Sequence, residues 1–89
     1  MKPRITLSLT AEGLLEIFVN ETGRDQLVKE FQHLSIRSDH FHFGPSEHDE
    51  VQVRSRAYKP GDTLIEYGKV LFRSDEWDER YYPHVLNDG

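Results

Sequence analysis

Residues 4–34, RITLSLTAEGLLEIFVNETGRDQLVKEFQHL, change their hydrophobic period once, from two residues to about 3.6, and that change predicts an α+β chain. Between Arg4 and Thr10, Ile5, Leu7 and Leu9 alternate with Arg4, Thr6, Ser8 and Thr10, the pattern of a strand with one buried and one wet face. Ala11-Glu12-Gly13 is a glycine-bearing connection of hairpin length, and Leu14 to Asn20 returns as a second strand with Leu15, Ile17 and Val19 facing inward. Leu14 and Phe18 fall on its other face, where they form an exposed apolar patch or meet a second layer. Thr22 stands three residues before Asp25, a loose capping box, and Leu27, Val28, Phe31 and Leu34 follow at helical spacing. A helix is therefore expected from about Gly23 to Leu34, with Arg24, Asp25, Lys29, Glu30 and Gln32 on its solvated side.

Alternation resumes downstream. Asp39 to Phe43 sets Phe41 and Phe43 against His40 and His42 until Gly44-Pro45 breaks the run. Glu50 to Ala57 places Val51 and Val53 inward and Gln52, Arg54 and Arg56 outward. Lys59-Pro60-Gly61-Asp62 is a turn, since proline presets φ and glycine accepts positive φ. Thr63 to Arg73 then forms one long strand in which Ile65 and Tyr67 share one parity and Val70 and Phe72 the other, so a bulge is expected at Gly68. From Ser74 to Leu86, Trp77, Tyr81 and Val85 recur every four residues, which predicts a short helix or turn folded back on the sheet and interrupted by Pro83. The whole order is ββαβββ: an antiparallel sheet of about five strands, with one main helix packed on one face and a short C-terminal turn or helix.

At 89 residues the chain has room for one domain, spanning 1–89. With 36% hydrophobic, 11% aromatic and 30% charged residues it has the composition of a packed globular protein. A chain this short buries only roughly 60 to 65% of its unfolded surface, so a partner or a second copy would add materially to its stability. The absence of cysteine excludes disulfide scaffolds and thiolate metal sites. Eleven basic against 16 acidic residues give a net charge of −5, and no Lys/Arg-rich window occurs, which argues against direct binding of nucleic acid. No apolar block of signal-peptide or membrane-spanning length is present, so a soluble, cytoplasmic protein is expected.

Four of the five histidines, His33, His40, His42 and His48, are close in sequence. His40 and His42 project from one face of a strand, and His48 beside Asp49 could swing back over the Gly44-Pro45 turn, so the three define a metal-binding or metal-dependent hydrolase alternative. The same His-x-His spacing is also that of two half-exposed rings hydrogen-bonded to water. Asp39, Glu47, Asp49 and Glu50 offer partners for general acid–base chemistry, with no spacing that selects any one of them. Nucleophile elbow, phosphate-binding glycine loop and zincin helix are all absent, so neither catalysis nor a cofactor is implied. Two acidic clusters stand out: Glu47, Asp49 and Glu50, and Asp75, Glu76, Asp78 and Glu79 around Trp77. Carboxylates around an aromatic anchor suit a basic protein partner, although a lone tryptophan serves packing equally well.

Ser38-Asp39-His40-Phe41-His42-Phe43, the strand Leu64 to Phe72, and its exit Asp75-Glu76-Trp77 leading to Tyr81-Tyr82-Pro83-His84 together resemble the immunity protein 32 family of bacterial polymorphic toxin systems. The resemblance covers about Gly13 to Val85. It implies an α+β fold and a non-catalytic task, binding a cognate toxin, often a nuclease, and blocking it inside the producing cell. An acidic protein can occupy the basic groove of a nuclease in place of phosphate. The expected contact surface is Asp75, Glu76, Trp77, Asp78, Tyr81 and Tyr82, on a chain that acts as a monomer or homodimer, without a membrane.

Overall fold

The computed structural model describes residues 1–87; the last two positions of the expected 1–89 domain lie outside the described residues. The chain is α+β, in the order β1 (Ile5–Leu9), β2 (Leu15–Val19), α1 (Glu21–His33), β3 (His40–Gly44), β4 (Val51–Gln52), β5 (Thr63–Leu64), β6 (Gly68–Leu71), α2 (Asp75–Tyr81) and a 3₁₀ turn, Pro83–Leu86. The strands form two three-stranded sheets, ordered β2-β1-β5 and β4-β3-β6, in place of one sheet of about five. Pairing is antiparallel except between β3 and β4, which run parallel with Phe43 opposite Val51.

The expected strand 63–73 is divided between the sheets. Thr63 and Leu64 pair with β1, whereas Gly68 to Leu71 pair with β3. The parity change near Gly68 therefore marks a transfer from one sheet to the other, not a bulge within one. The expected strand 50–57 is likewise cut to Val51–Gln52, because Val53 donates its N–H to Gly44 of the second sheet (2.9 Å) and Arg54 donates to Ile5 of the first (2.8 Å). These two residues are the joint between the sheets. Around it lies the core, Ile5, Leu7, Phe41, Val51 and Val53, with Leu27, Leu34, Phe43, Ile65 and Val70 packed against it. Each fully buried aliphatic side chain contributes about 1.5–3 kcal/mol.

The face of β1 that reads as wet is covered: Thr6 and Ser8 are buried. Opposite them on β2 are Phe18 and Glu16, and the segment after β4 folds beneath this face, where Tyr58 stacks on Phe18 (4.0 Å between ring centroids) and Lys59 pairs with Glu16 (2.7 Å). This is the second layer that Phe18 required. Leu15, Ile17 and Val19 share the inward face with Leu7 but remain about half-exposed, since the second sheet covers β1 more fully than β2.

Helix α1 begins earlier than the Thr22-Asp25 pattern suggests, because Asn20 is its cap. The Asn20 Oδ1 accepts from Gly23 N–H (2.8 Å) and Arg4 N–H (2.9 Å), while Nδ2 donates to the Lys2 carbonyl (3.0 Å). One buried amide thus satisfies a helix terminus and ties it to the entrance of β1. Gly23 permits the approach: a Cβ there would lie 2.5 Å from the Arg4 carbonyl oxygen. Farther along α1, Phe31 meets Phe41 edge-on at 5.4 Å, which sets the helix against the core.

Candidate functional site

Helix α2 forms where Ser74 accepts the Trp77 N–H (3.1 Å) and Asp75, Glu76 and Asp78 favour the positive end of the helix. It stops at Tyr82, whose N–H reaches Asp78 (2.8 Å), because Pro83 starts the 3₁₀ turn. Spacing of four residues brings Trp77 and Tyr81 onto one face, with ring centroids 4.7 Å apart, and Tyr82 stacks on Trp77 at 5.4 Å. The Arg73 guanidinium lies 4.5 Å over the Trp77 ring, and that of Arg80 lies 5.5 Å from the Tyr81 ring.

No residue of α2 is buried, and Tyr81 is 55% exposed. Trp77 and Tyr81 border a shallow open hollow of about 650 Å³, whose rim includes Ile36, Glu76, Glu79 and Arg80. The expected contact residues Asp75, Glu76, Trp77, Asp78, Tyr81 and Tyr82 are thus brought together on one short surface segment, on which Trp77 and Asp78 are partly buried and the others exposed. Two residues that the sequence did not single out complete it. Ile36 lies in the loop after α1, with no local pattern to mark it. Arg73 is the anchor: its guanidinium faces Asp39 at 3.5 Å as well as Trp77, linking α2 to the start of β3.

The expected metal triad is not assembled. His40 and His42 do share the outer face of β3, meeting edge-on at 4.9 Å, but each is engaged by a carboxylate: His40 Nδ1 with Asp39 (2.8 Å) and His42 Nδ1 with Glu50 (3.1 Å). His48 is turned away into solvent beside Glu47, at 4.0 Å. The turn itself is the reason. Asp49 folds back to accept the Ser46 N–H (3.0 Å) and packs its carboxylate on the bare Cα of Gly44, while Glu50 accepts both the backbone and the ring N–H of His42. Among the described residues, no group of three or more His, Cys, Asp or Glu side chains is arranged to hold a metal ion. Two members of the first acidic cluster are likewise engaged locally, since Asp49 closes the turn and Glu50 holds His42, while Glu47 faces solvent.

Hydrogen bonding from His40 holds the Asp39 carboxyl below the usual carboxylate range, with Arg73 adding to the effect; the His42 ring does the same for Glu50. Beside the first sheet, the hydrogen bond to Glu16 raises the Lys59 ammonium above its usual range. Among the described residues, no helix is long and apolar enough to cross a membrane. Comparison with family models, curated proteins and solved structures finds no match to this chain.

Proposed function

We propose that this chain is a non-catalytic protein-binding domain that docks a basic partner through α2, and that the partner is a toxin domain neutralised in the cytoplasm of the producing cell. The observation that carries the reading is the clustering of the partly buried Trp77 with the exposed Tyr81 and Tyr82, on a short helix that also carries Asp75, Glu76, Asp78 and Glu79. The exposed Tyr81 and Tyr82, backed by Trp77, supply anchors that desolvate on contact, and neighbouring carboxylates steer a cationic surface into place. The resemblance to immunity protein 32 gives the partner its class: a nuclease groove that is cationic because it must hold phosphate would accept this surface in its place.

Co-expression with the product of the adjacent gene tests this. The wild-type chain should abolish that product's toxicity. Trp77→Ala should weaken the complex by at least about 30-fold, the effect of losing a hot spot of about 2 kcal/mol, while its circular dichroism is retained. An adjacent product that is harmless alone, or one bound equally well by folded Trp77→Ala, would contradict the proposal.

A further inference from the structure

Strand β2, Leu15–Val19, is the outer strand of its sheet, bonded to β1 on one side only. The bond from Asn20 N–H to the Arg4 carbonyl and that from Thr10 N–H to the Leu14 carbonyl fix the bonded positions of the pair as the even-numbered residues. Antiparallel ladders alternate, so the N–H and C=O groups of Leu15, Ile17 and Val19 point away from β1. No hydrogen bond among the described residues engages them. The three residues lie 54%, 53% and 41% exposed. The inward face of this strand opens into an apolar groove of about 290 Å³ formed by Leu7, Leu15, Ile17, Leu27, Phe31 and Val70, among others.

Natural sheets protect such an edge with lysine, proline, a bulge or a covering loop. Here the strand reads Leu-Glu-Ile-Phe-Val, and its one charge, Glu16, is already neutralised by Lys59 on the opposite face. We propose that β2 pairs with β2 of a second copy of this chain, antiparallel about a two-fold axis through Ile17, to give one continuous six-stranded sheet.

The register follows from the strand itself. Centring on Ile17 sets Ile17 against Ile17, and Leu15 against Val19, so every outward-pointing backbone group meets another. The same register places all three apolar side chains of each copy on one face. On the other face Glu16 lies opposite Phe18, so no like charges are opposed. Shifting by one residue would set outward groups against inward ones and lose both features. An edge strand of five residues gives an interface no larger than the lower end of the roughly 1,200–2,000 Å² of stable complexes, so the dimer forms in a concentration-dependent manner. This pairing uses none of the α2 residues and does not depend on their role.

Sedimentation equilibrium over micromolar to millimolar protein tests it, together with amide exchange. Wild type should pass from monomer to dimer, and the amides of Leu15, Ile17 and Val19 should become protected as it does. Ile17→Lys opposes two ammonium groups across the axis and should weaken association by on the order of 100-fold. Mixing Ile17→Lys with Ile17→Glu should restore a dimer containing one of each. If either variant fails to fold, the exchange data on wild type decide alone. A wild type that stays monomeric throughout, a dimer in which these amides stay unprotected, or amides protected only by an added foreign strand peptide would overturn the proposal.

Discussion

Asn20 and Arg73 each sit where a strand region hands the chain to a helix, yet the two joints are built in opposite ways. Asn20 is 8% exposed and fixes α1 through short hydrogen bonds to Lys2, Arg4 and Gly23. Arg73 fixes α2 through a ring contact at 4.5 Å and an ion pair at 3.5 Å that water can reach. A dry joint holds its helix as part of the fold. A wet one holds its helix in place while leaving the aromatic face free to exchange solvent for a partner, because exposed charge pairs are worth little and cost little to rearrange.

The contrast breaks if the joints respond alike to truncation. Asn20→Ala removes a helix cap, worth about 0.5–2 kcal/mol, and leaves the Arg4 N–H and Lys2 carbonyl short of partners, so urea unfolding should show a loss of about 2–4 kcal/mol. Arg73→Ala should cost no more than about 1 kcal/mol by the same measurement, since it removes a partly exposed pair and one cation–ring contact.

Acid sharpens the comparison with a smaller effect. The carboxyls of Asp39 and Glu50 titrate in the folded chain below their ordinary values of 3.8 and 4.5. Their contribution is therefore fully present above those values and is lost as pH falls through the lowered ones. Protonated Asp39 no longer holds Arg73, whereas the groups bonded to Asn20, the Arg4 and Gly23 amides and the Lys2 carbonyl, do not titrate. As pH falls below 3.8 and through the lowered value of Asp39, Trp77 fluorescence should change before far-ultraviolet circular dichroism does. Carbon-13 titration of the two carboxyls checks the cause: midpoints at or above the ordinary values would remove it.

Much of this was legible in the sequence wherever the governing contacts are local. The period-two runs at Ile5–Leu9 and Leu15–Val19, the helix through Leu27 and Phe31, and the face shared by Trp77 and Tyr81 all follow from spacing along a few residues. What escaped depends on distant chain. Asn20 outcompetes Thr22 as a cap because Arg4, sixteen residues away, supplies a second donor to the same oxygen. Thr63 to Arg73 has the pattern of one strand, and no side-chain pattern tells which sheet will bond its two halves. His48 had the spacing of a third ligand, but Glu50, eight residues beyond His42, occupies that ring first. Arg73 carried no local signal because its role lies in Asp39 and Trp77 together.

Trp77 is the chain's one tryptophan, and its place outside the core is the claim on which the functional reading stands. Urea unfolding of Trp77→Ala beside Phe41→Ala tests it most directly. Loss of the buried Phe41 ring should cost about 3–5 kcal/mol, and loss of the partly buried Trp77 ring less than about 2 kcal/mol. Equal losses would mean that Trp77 belongs to the packing of the fold, and that α2 is no free contact surface.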